Sequence, residues 1–266
     1  MTIAAQVGRV FLVGAGPGDP ELLTLKAVRA IGVADVLLVD DLVHDDILAF
    51  ARNDARVIYV GKRGGCKSTP QEFIERLMIA EAKQGRVVVR LKGGDPFMFG
   101  RGGEECEALR DAGIACEIVS GITAGMAAPA SVGIPLTHRD ICHGAIFVTG
   151  HAGEDATTAP NWHALAATGL PLVIYMGVSR SESIQRVLLD AGMSPAMPIA
   201  VIQNATRSDQ RAIVTILRTL VDDIHTSAIG SPAIMVVGET VRYAEIENTS
   251  AGAVFGEKMV GRARRI

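Results

Sequence analysis

Five short apolar runs, each closed by a cluster of glycines or charges, follow one another through the first half of the chain. That alternation constrains the fold more than any other feature. Val10 to Val13 ends in GAGPGDP and Val36 to Val39 runs into Asp40-Asp41. Val57 to Val60 ends in GKRGG, and Cys116 to Val119 precedes GITA. The fourth run, Val87 to Val89, enters RLKGGDPFMFGRGGEE, which spans Arg90 to Glu105. Between the runs lie apolar residues at helical spacing. Leu22, Leu23, Leu25, Ala27, Val28 and Ile31 supply one buried face behind an Asp19 cap and Pro20. Phe73, Leu77, Met78 and Ala80 supply another, between a Ser68-Thr69-Pro70-Gln71-Glu72 start and Gly85. A short helix is expected around Asp45 to Ala51, and a further one from Gly103 to Ala112. Strand–helix units in succession predict a parallel sheet with right-handed crossovers. Strands covered on both faces read as unbroken aliphatic stretches, and the composition agrees, with 48% apolar residues but only 4% aromatics.

The pattern changes after GIPLTHR, a linker from Gly133 to Arg139. Strands at Ala145 to Thr149, Leu172 to Met176 and Ile199 to Gln203 alternate with helices at Trp162 to Ala167 and Ser181 to Ala191. Arg211 to Ile216 comes closely enough after its predecessor for an antiparallel hairpin, and a helix to His225 and a strand Ala233 to Val237 complete the pattern. The fold class is therefore α/β. An N-terminal α/β domain with a parallel sheet is expected over 1–136 and a C-terminal one with a mixed sheet over 137–245, ahead of a flexible tail over 246–266. A net charge of −3 disfavours a nucleic-acid-binding surface, so an anionic substrate would need a local basic pocket. Cys66, Cys106, Cys116 and Cys142 have no metal-binding spacing and read as reduced thiols. With no signal-peptide pattern and no membrane-length apolar run, the expected location is the cytoplasm.

The two glycine-rich loops come directly after strands, and loops at the carboxyl ends of parallel strands are where open sheets bind ligands. GAGPGDP invites a dinucleotide reading, but Pro17 and Asp19-Pro20 displace the expected glycines, and Asp19 puts negative charge where a pyrophosphate would rest. No phosphate-binding G-x-x-x-x-G-K-[ST] is present. Asp40 and Lys62 each stand just after a predicted strand, so both belong on the rim carrying the glycine loops. A helix cap and a surface charge would explain them as well; a carboxylate and an ammonium in one cleft could instead exchange protons with a substrate. His138-Arg139-Asp140 with His143 lacks a third ligand at metal spacing. Met176 at a strand end could pack on a flat ring or simply fill the core.

The motifs VFLVGAGPGDPELLTLKA, DDLVHDD, GKRGG with PQE, RLKGGDPFMFGRGGEE, GITAG, GIPLTHRD, FVTGH, YMG and QNAT together resemble the tetrapyrrole methylase family, from about Val10 to Val241. The resemblance implies two α/β domains with the active site in the cleft between them, and S-adenosylmethionine folded into that cleft. It implies cofactor contacts at Pro17, Gly93, Gly94, Asp95, Met98, Thr123, Ala124, Met176, Ala205 and, more weakly, Ala233. It aligns Asp40 with a proton acceptor and Lys62 with a proton donor. Within the family the chain is most similar to the branch that methylates uroporphyrinogen III at C2 and C7, giving precorrin-2 and S-adenosylhomocysteine, in homodimeric enzymes. Because that substrate carries eight carboxylates, Arg63, Arg101 and Arg139 are the expected clamps.

Asp41 stands where Arg or Ala is common in the family, and Cys66-Lys67 replaces a Tyr-His or Lys-Pro segment, which leaves substrate contacts from that loop open. The rival readings are a sister methylase acting on a later precorrin, diphthamide or ribosomal RNA, a nicotinamide-dependent oxidoreductase, and a non-catalytic nucleotide sensor. The short lead before the first strand argues for methylation without the dehydrogenase–chelatase module of multifunctional sirohaem synthases.

Overall fold

Each aliphatic run of the first half forms a strand, and alternate side chains of each strand face opposite ways. A computed structural model describes residues 7–61, 69–151 and 159–246. The chain divides into two units, the first holding residues up to 128 together with 204–210, the second the remainder. The division falls at Ala128/Pro129, whereas the sequence reading set it after Leu136.

The first unit contains β1 (Arg9–Gly14), α1 (Leu25–Gly32), β2 (Val36–Val39), β3 (Arg56–Tyr59), α2 (Gln71–Lys83), β4 (Val87–Lys92), α3 (Gly102–Asp111) and β5 (Cys116–Val119). α4 (Ala124–Ala130) runs across the boundary. The strands form a sheet of order β3-β2-β4-β1-β5 in which every neighbouring pair is parallel. Phe11, Val13, Leu37, Val39, Val89 and Leu91 pack on one face with Ile31 and Ile47. Val10, Leu12, Val36, Leu38 and Val88 pack on the other with Ile74, Met78 and Leu109. Burying such side chains stabilises the fold by about 1.5–3 kcal/mol each.

Local chemistry shifted several expected elements. Asp19 does act as a cap, accepting the Glu21 N–H at 2.8 Å, but Pro20–Leu22 is only a 3-10 turn. The α-helix starts after Thr24, whose hydroxyl oxygen accepts the Ala27 N–H at 3.1 Å. Its buried face is Ala27, Ala30 and Ile31, so Leu25 is left 77% exposed, contrary to expectation. In α2 the inward positions are Ile74 and Met78, while Phe73 and Ala80 face out. The residue before α2 is Pro70, which offers no side-chain cap. Asp45–Phe50 is a 3-10 helix, its two acidic residues in the first turn where the helix dipole favours them.

The second unit contains β6 (Ile146–Thr149), α5 (Trp162–Ala167), β7 (Leu172–Tyr175), α6 (Ser181–Asp190), β8 (Pro198–Gln203), β9 (Arg211–Ile216), α7 (Leu220–Ser227) and β10 (Ala233–Val237). Its sheet has the order β6-β7-β10-β8-β9. β6 and β7 run parallel, while the β7–β10, β10–β8 and β8–β9 pairs are antiparallel, so the sheet is mixed. The β8–β9 hairpin expected from the spacing is present. Among the described residues no helix is long and apolar enough to cross a membrane.

Candidate active site

Because every strand of the first sheet points the same way, the segments after β1, β2, β4 and β5 all leave from one edge. Three of them touch through their main chains. Gly16 and Gly94 form an isolated bridge, with Gly94 N–H donating to Gly16 O at 2.7 Å and Gly16 N–H to Gly94 O at 3.1 Å. A Cβ on Gly121 would lie 2.2 Å from Gly94 O, and one on Gly14 would lie 2.5 Å from Gly121 N. Glycine is therefore required for the contact itself. Asp95 fastens the arrangement, its carboxylate accepting the Phe97 N–H at 2.8 Å and the Gly121 N–H at 3.1 Å. Next to it Thr123 is buried and Ala124 opens α4.

The segment 204–210 completes this edge of the first unit. Ala205 is buried, and its carbonyl would be 3.3 Å from a Cβ on Gly18. Asp19 N–H donates to Thr206 Oγ1 at 3.1 Å, and Thr206 N–H donates to Gln210 Oε1 at 2.6 Å. Non-glycine residues with left-handed backbone are Phe99, Arg101, Met176, Asn204, Thr206 and Ala228 among the described residues. Met176, Asn204 and Thr206 closely follow the ends of β7 and β8, while Phe99 and Arg101 lie in the segment between β4 and α3. Strained backbone of this kind concentrates at functional sites. Pro17 and Met98 lie partly buried within the first and second glycine loops.

Asp40 directly succeeds β2 on the same edge, and the contact of Leu42 with Gly93 brings its loop against that of β4, since a Cβ on Gly93 would lie 2.6 Å from Leu42 Cβ. Its Oδ1 accepts the Asp41 N–H at 3.0 Å, and its Oδ2 lies 3.2 Å from Arg90 Nη2. Arg90 is 2% exposed and donates from Nε to Glu105 Oε1 at 3.0 Å and from Nη1 to Leu91 O at 3.1 Å. Lys92 Nζ is 2.9 Å from Glu105 Oε2. The oxygen is close enough for an ion pair but makes no aligned hydrogen bond. Burial, and after it the positive Arg90, lower the Lys92 ammonium below its ordinary pKa, with Glu105 opposing the shift.

Arg90, Lys92 and Glu105 were not singled out from the sequence. The available signal was two basic residues spaced two apart inside an aliphatic strand, which places them on one face. Lys62 and Arg63 lie outside the described residues. Arg101 sits at the start of α3 and pairs with Glu104, Nε to Oε1 at 2.9 Å, which lowers the Glu104 carboxyl below its usual range. In the second unit, Arg139 is exposed in a turn bridged by His138 and Cys142. There Met176 comes after β7 and Ala233 opens β10; their neighbours Tyr175 and Ile234 are paired, so both emerge at one end of that sheet.

A separate cavity of about 500 Å³ is lined by Phe97, Arg110, Ile114 and Ile118 together with Cys106 and Cys116. The two sulfurs are 3.7 Å apart, a contact between free thiols that the sequence spacing did not announce. Only Phe97 of this lining comes from the glycine loops.

Residues 9–221 match the family described as Tetrapyrrole (Corrin/Porphyrin) Methylases. The chain is 56% identical over 235 residues to a uroporphyrinogen-III C-methyltransferase of Pseudomonas aeruginosa, covering 88% of this chain and 95% of the relative. It is 52% identical to siroheme synthase 2 of Aeromonas hydrophila, covering 90% of this chain but 50% of that longer protein. Among solved structures, uroporphyrin-III C-methyl transferase from Thermus thermophilus complexed with S-adenyl homocysteine superposes with a TM-score of 0.76 at 40% identity. That match covers 88% of this chain and 99% of the other.

Proposed function

Since the chain belongs to the tetrapyrrole methylase family, we propose that it is a methyltransferase that uses S-adenosylmethionine to methylate uroporphyrinogen III at C2 and C7, yielding precorrin-2. The observation that carries this reading is 56% identity to a uroporphyrinogen-III C-methyltransferase along nearly the full length of both chains. The proposed donor site is the edge of the first sheet where the loops after β1, β4 and β5 pack together. Its loops meet through bare glycine backbone, and a Cβ at Gly14 or Gly121 would close that approach. Pro17, Gly93, Gly94, Asp95, Met98, Thr123, Ala124, Met176, Ala205 and Ala233 are the residues proposed to hold it. S-adenosylmethionine, when bound, supplies an electrophilic methyl group on a sulfonium.

The protein's own work is alignment and proton handling. The Asp95 carboxylate holds the β4 and β5 loops in one geometry through Phe97 and Gly121, and fixing reactants in this way can remove several kcal/mol of a barrier. Asp40 is the proposed proton acceptor, oriented by Arg90 and the Asp41 amide. Lys62 is the proposed donor. Arg63, Arg101 and Arg139 are proposed to clamp substrate carboxylates; Arg101 would exchange Glu104 for the substrate. A homodimer in the cytoplasm accompanies this reading.

Incubation with uroporphyrinogen III and labelled S-adenosylmethionine tests the reaction. Two labelled methyl groups per product are expected, and product carrying no label would end the proposal. In Asp40→Asn, turnover is expected to fall by about 10²-fold or more while S-adenosylmethionine binding is kept. Full turnover would remove Asp40 from the mechanism.

A further inference from the structure

Beneath Asp40 lies a closed set of charges of which the proposed mechanism uses only Arg90. Arg90 and Lys92 come from β4 and Glu105 from α3, and the three are 2%, 3% and 0% exposed. Buried ionised side chains are costly unless paired, and sequences that need only stability can fill such positions with apolar residues. Here the pairing leads outward to one destination. Glu105 takes Arg90 Nε on one oxygen and Lys92 on the other, at 3.0 and 2.9 Å. The Arg90 guanidinium is further fixed by the Leu91 carbonyl, and its remaining arm ends on Asp40 Oδ2 at 3.2 Å. Asp40 is the member of the set that reaches solvent, its side chain 35% exposed.

Resting on the reading of Asp40 as proton acceptor, we propose that Lys92 and Glu105 are positioning residues that act through Arg90 to set the orientation and charge balance of Asp40. Geometry and electrostatics give them distinct parts. Arg90 alone could pair with Asp40, but a long side chain inside a sheet needs its plane fixed, and Glu105 fixes it. An unaccompanied Glu105 would add negative charge behind Asp40, and Lys92 cancels it. The four groups then sum to zero. A further carboxylate beside Asp40 is its neighbour Asp41, which lies against Gly61 after the end of β3, where a Cβ on the glycine would be 2.2 Å from Asp41 Oδ1.

The arrangement makes a prediction that a purely structural role does not. Lys92→Met leaves Glu105 uncancelled, so the acid limb of the kcat/KM profile moves to higher pH, by on the order of one unit. Lys92→Arg keeps the charge and keeps the limb in place. Lys92→Met combined with Glu105→Gln removes opposite charges together and returns the limb toward its original position, without leaving a buried charge unpaired. Glu105→Gln alone would leave Arg90 and Lys92 as buried like charges and endanger folding, so the double variant is the informative one.

The test measures these profiles with S-adenosylmethionine and uroporphyrinogen III, alongside Asp40→Asn. The expected result is loss of the acid limb in Asp40→Asn, displacement in Lys92→Met and restoration in the double variant. A limb lost in Asp40→Asn but unmoved by Lys92→Met, or one that stays displaced in the double variant, overturns the positioning role and leaves Asp40 standing. A limb that persists in Asp40→Asn overturns both.

Discussion

Asp95 shows how a residue picked out as a ligand contact can have a prior duty. Both of its carboxylate oxygens are engaged by main-chain donors, Phe97 N–H at 2.8 Å and Gly121 N–H at 3.1 Å. Hydrogen bonds to a charged acceptor each contribute about 1.5–3 kcal/mol when shielded. Asp95 is only half-buried, so Asp95→Ala is expected to lower stability by about 2 kcal/mol as well as weaken S-adenosylmethionine binding. Denaturant unfolding and calorimetric titration check the two effects, and unchanged values in both would refute the role given to this side chain. Gly121→Ala should do comparable damage from the other side of the same contact. Its Cβ would lie 2.2 Å from a backbone oxygen, and overpacking of that kind costs about 1–3 kcal/mol.

The β-strands were readable because aliphatic runs bounded by glycine have few other ways to fold, and the parallel order came from strand–helix succession. The second half was readable for a similar reason, the short step from Gln203 to Arg211 leaving room for little but a hairpin. The features that escaped were set by tertiary contact. Leu25 fits a helical stripe, yet α1 begins only at that residue, and the face that α1 buries is made by Ala27, Ala30 and Ile31. Of the candidate site, Asp40 and the glycines could be placed because each stands in a segment leaving a strand. The Arg90–Glu105–Lys92 set could not, since its members come from different elements and gain meaning only when α3 lies on the sheet. The same holds for Glu81 near the end of α2, which pairs with both Arg56 at the start of β3 and Arg86 just before β4. The carboxylate is buried while both arginines are partly exposed. Glu81→Ala should therefore cost about 2 kcal/mol, less than a fully buried pair would, and denaturant unfolding would read it. A loss below a few tenths of a kcal/mol would mean that water replaces the carboxylate at no penalty.

The thiol contact ties the stability of the protein to alkaline pH. Burial, and then the adjacent Cys106, push the Cys116 thiol from 9.0 up to about 12. Its folded value lies above the unfolded one, so the associated stability is fully present below about pH 9 and is lost as pH rises toward 12. Cys116→Ser should flatten the fall in unfolding free energy across that window; an unchanged slope would show that other groups govern it. A different kind of dependence arises from residues 204–210, which lie between two strands of the second sheet yet belong to the first unit. They supply the Thr206 hydroxyl that accepts the Asp19 N–H, so the first glycine loop is finished by chain that comes 187 residues later. During synthesis, the ribosome releases the whole parallel sheet well before it releases this last piece. The newborn first unit must therefore wait, the edge carrying its glycine loops incomplete, until the β8–β9 hairpin has emerged, and a nascent chain halted before residue 204 should carry a folded sheet that does not bind the proposed methyl donor.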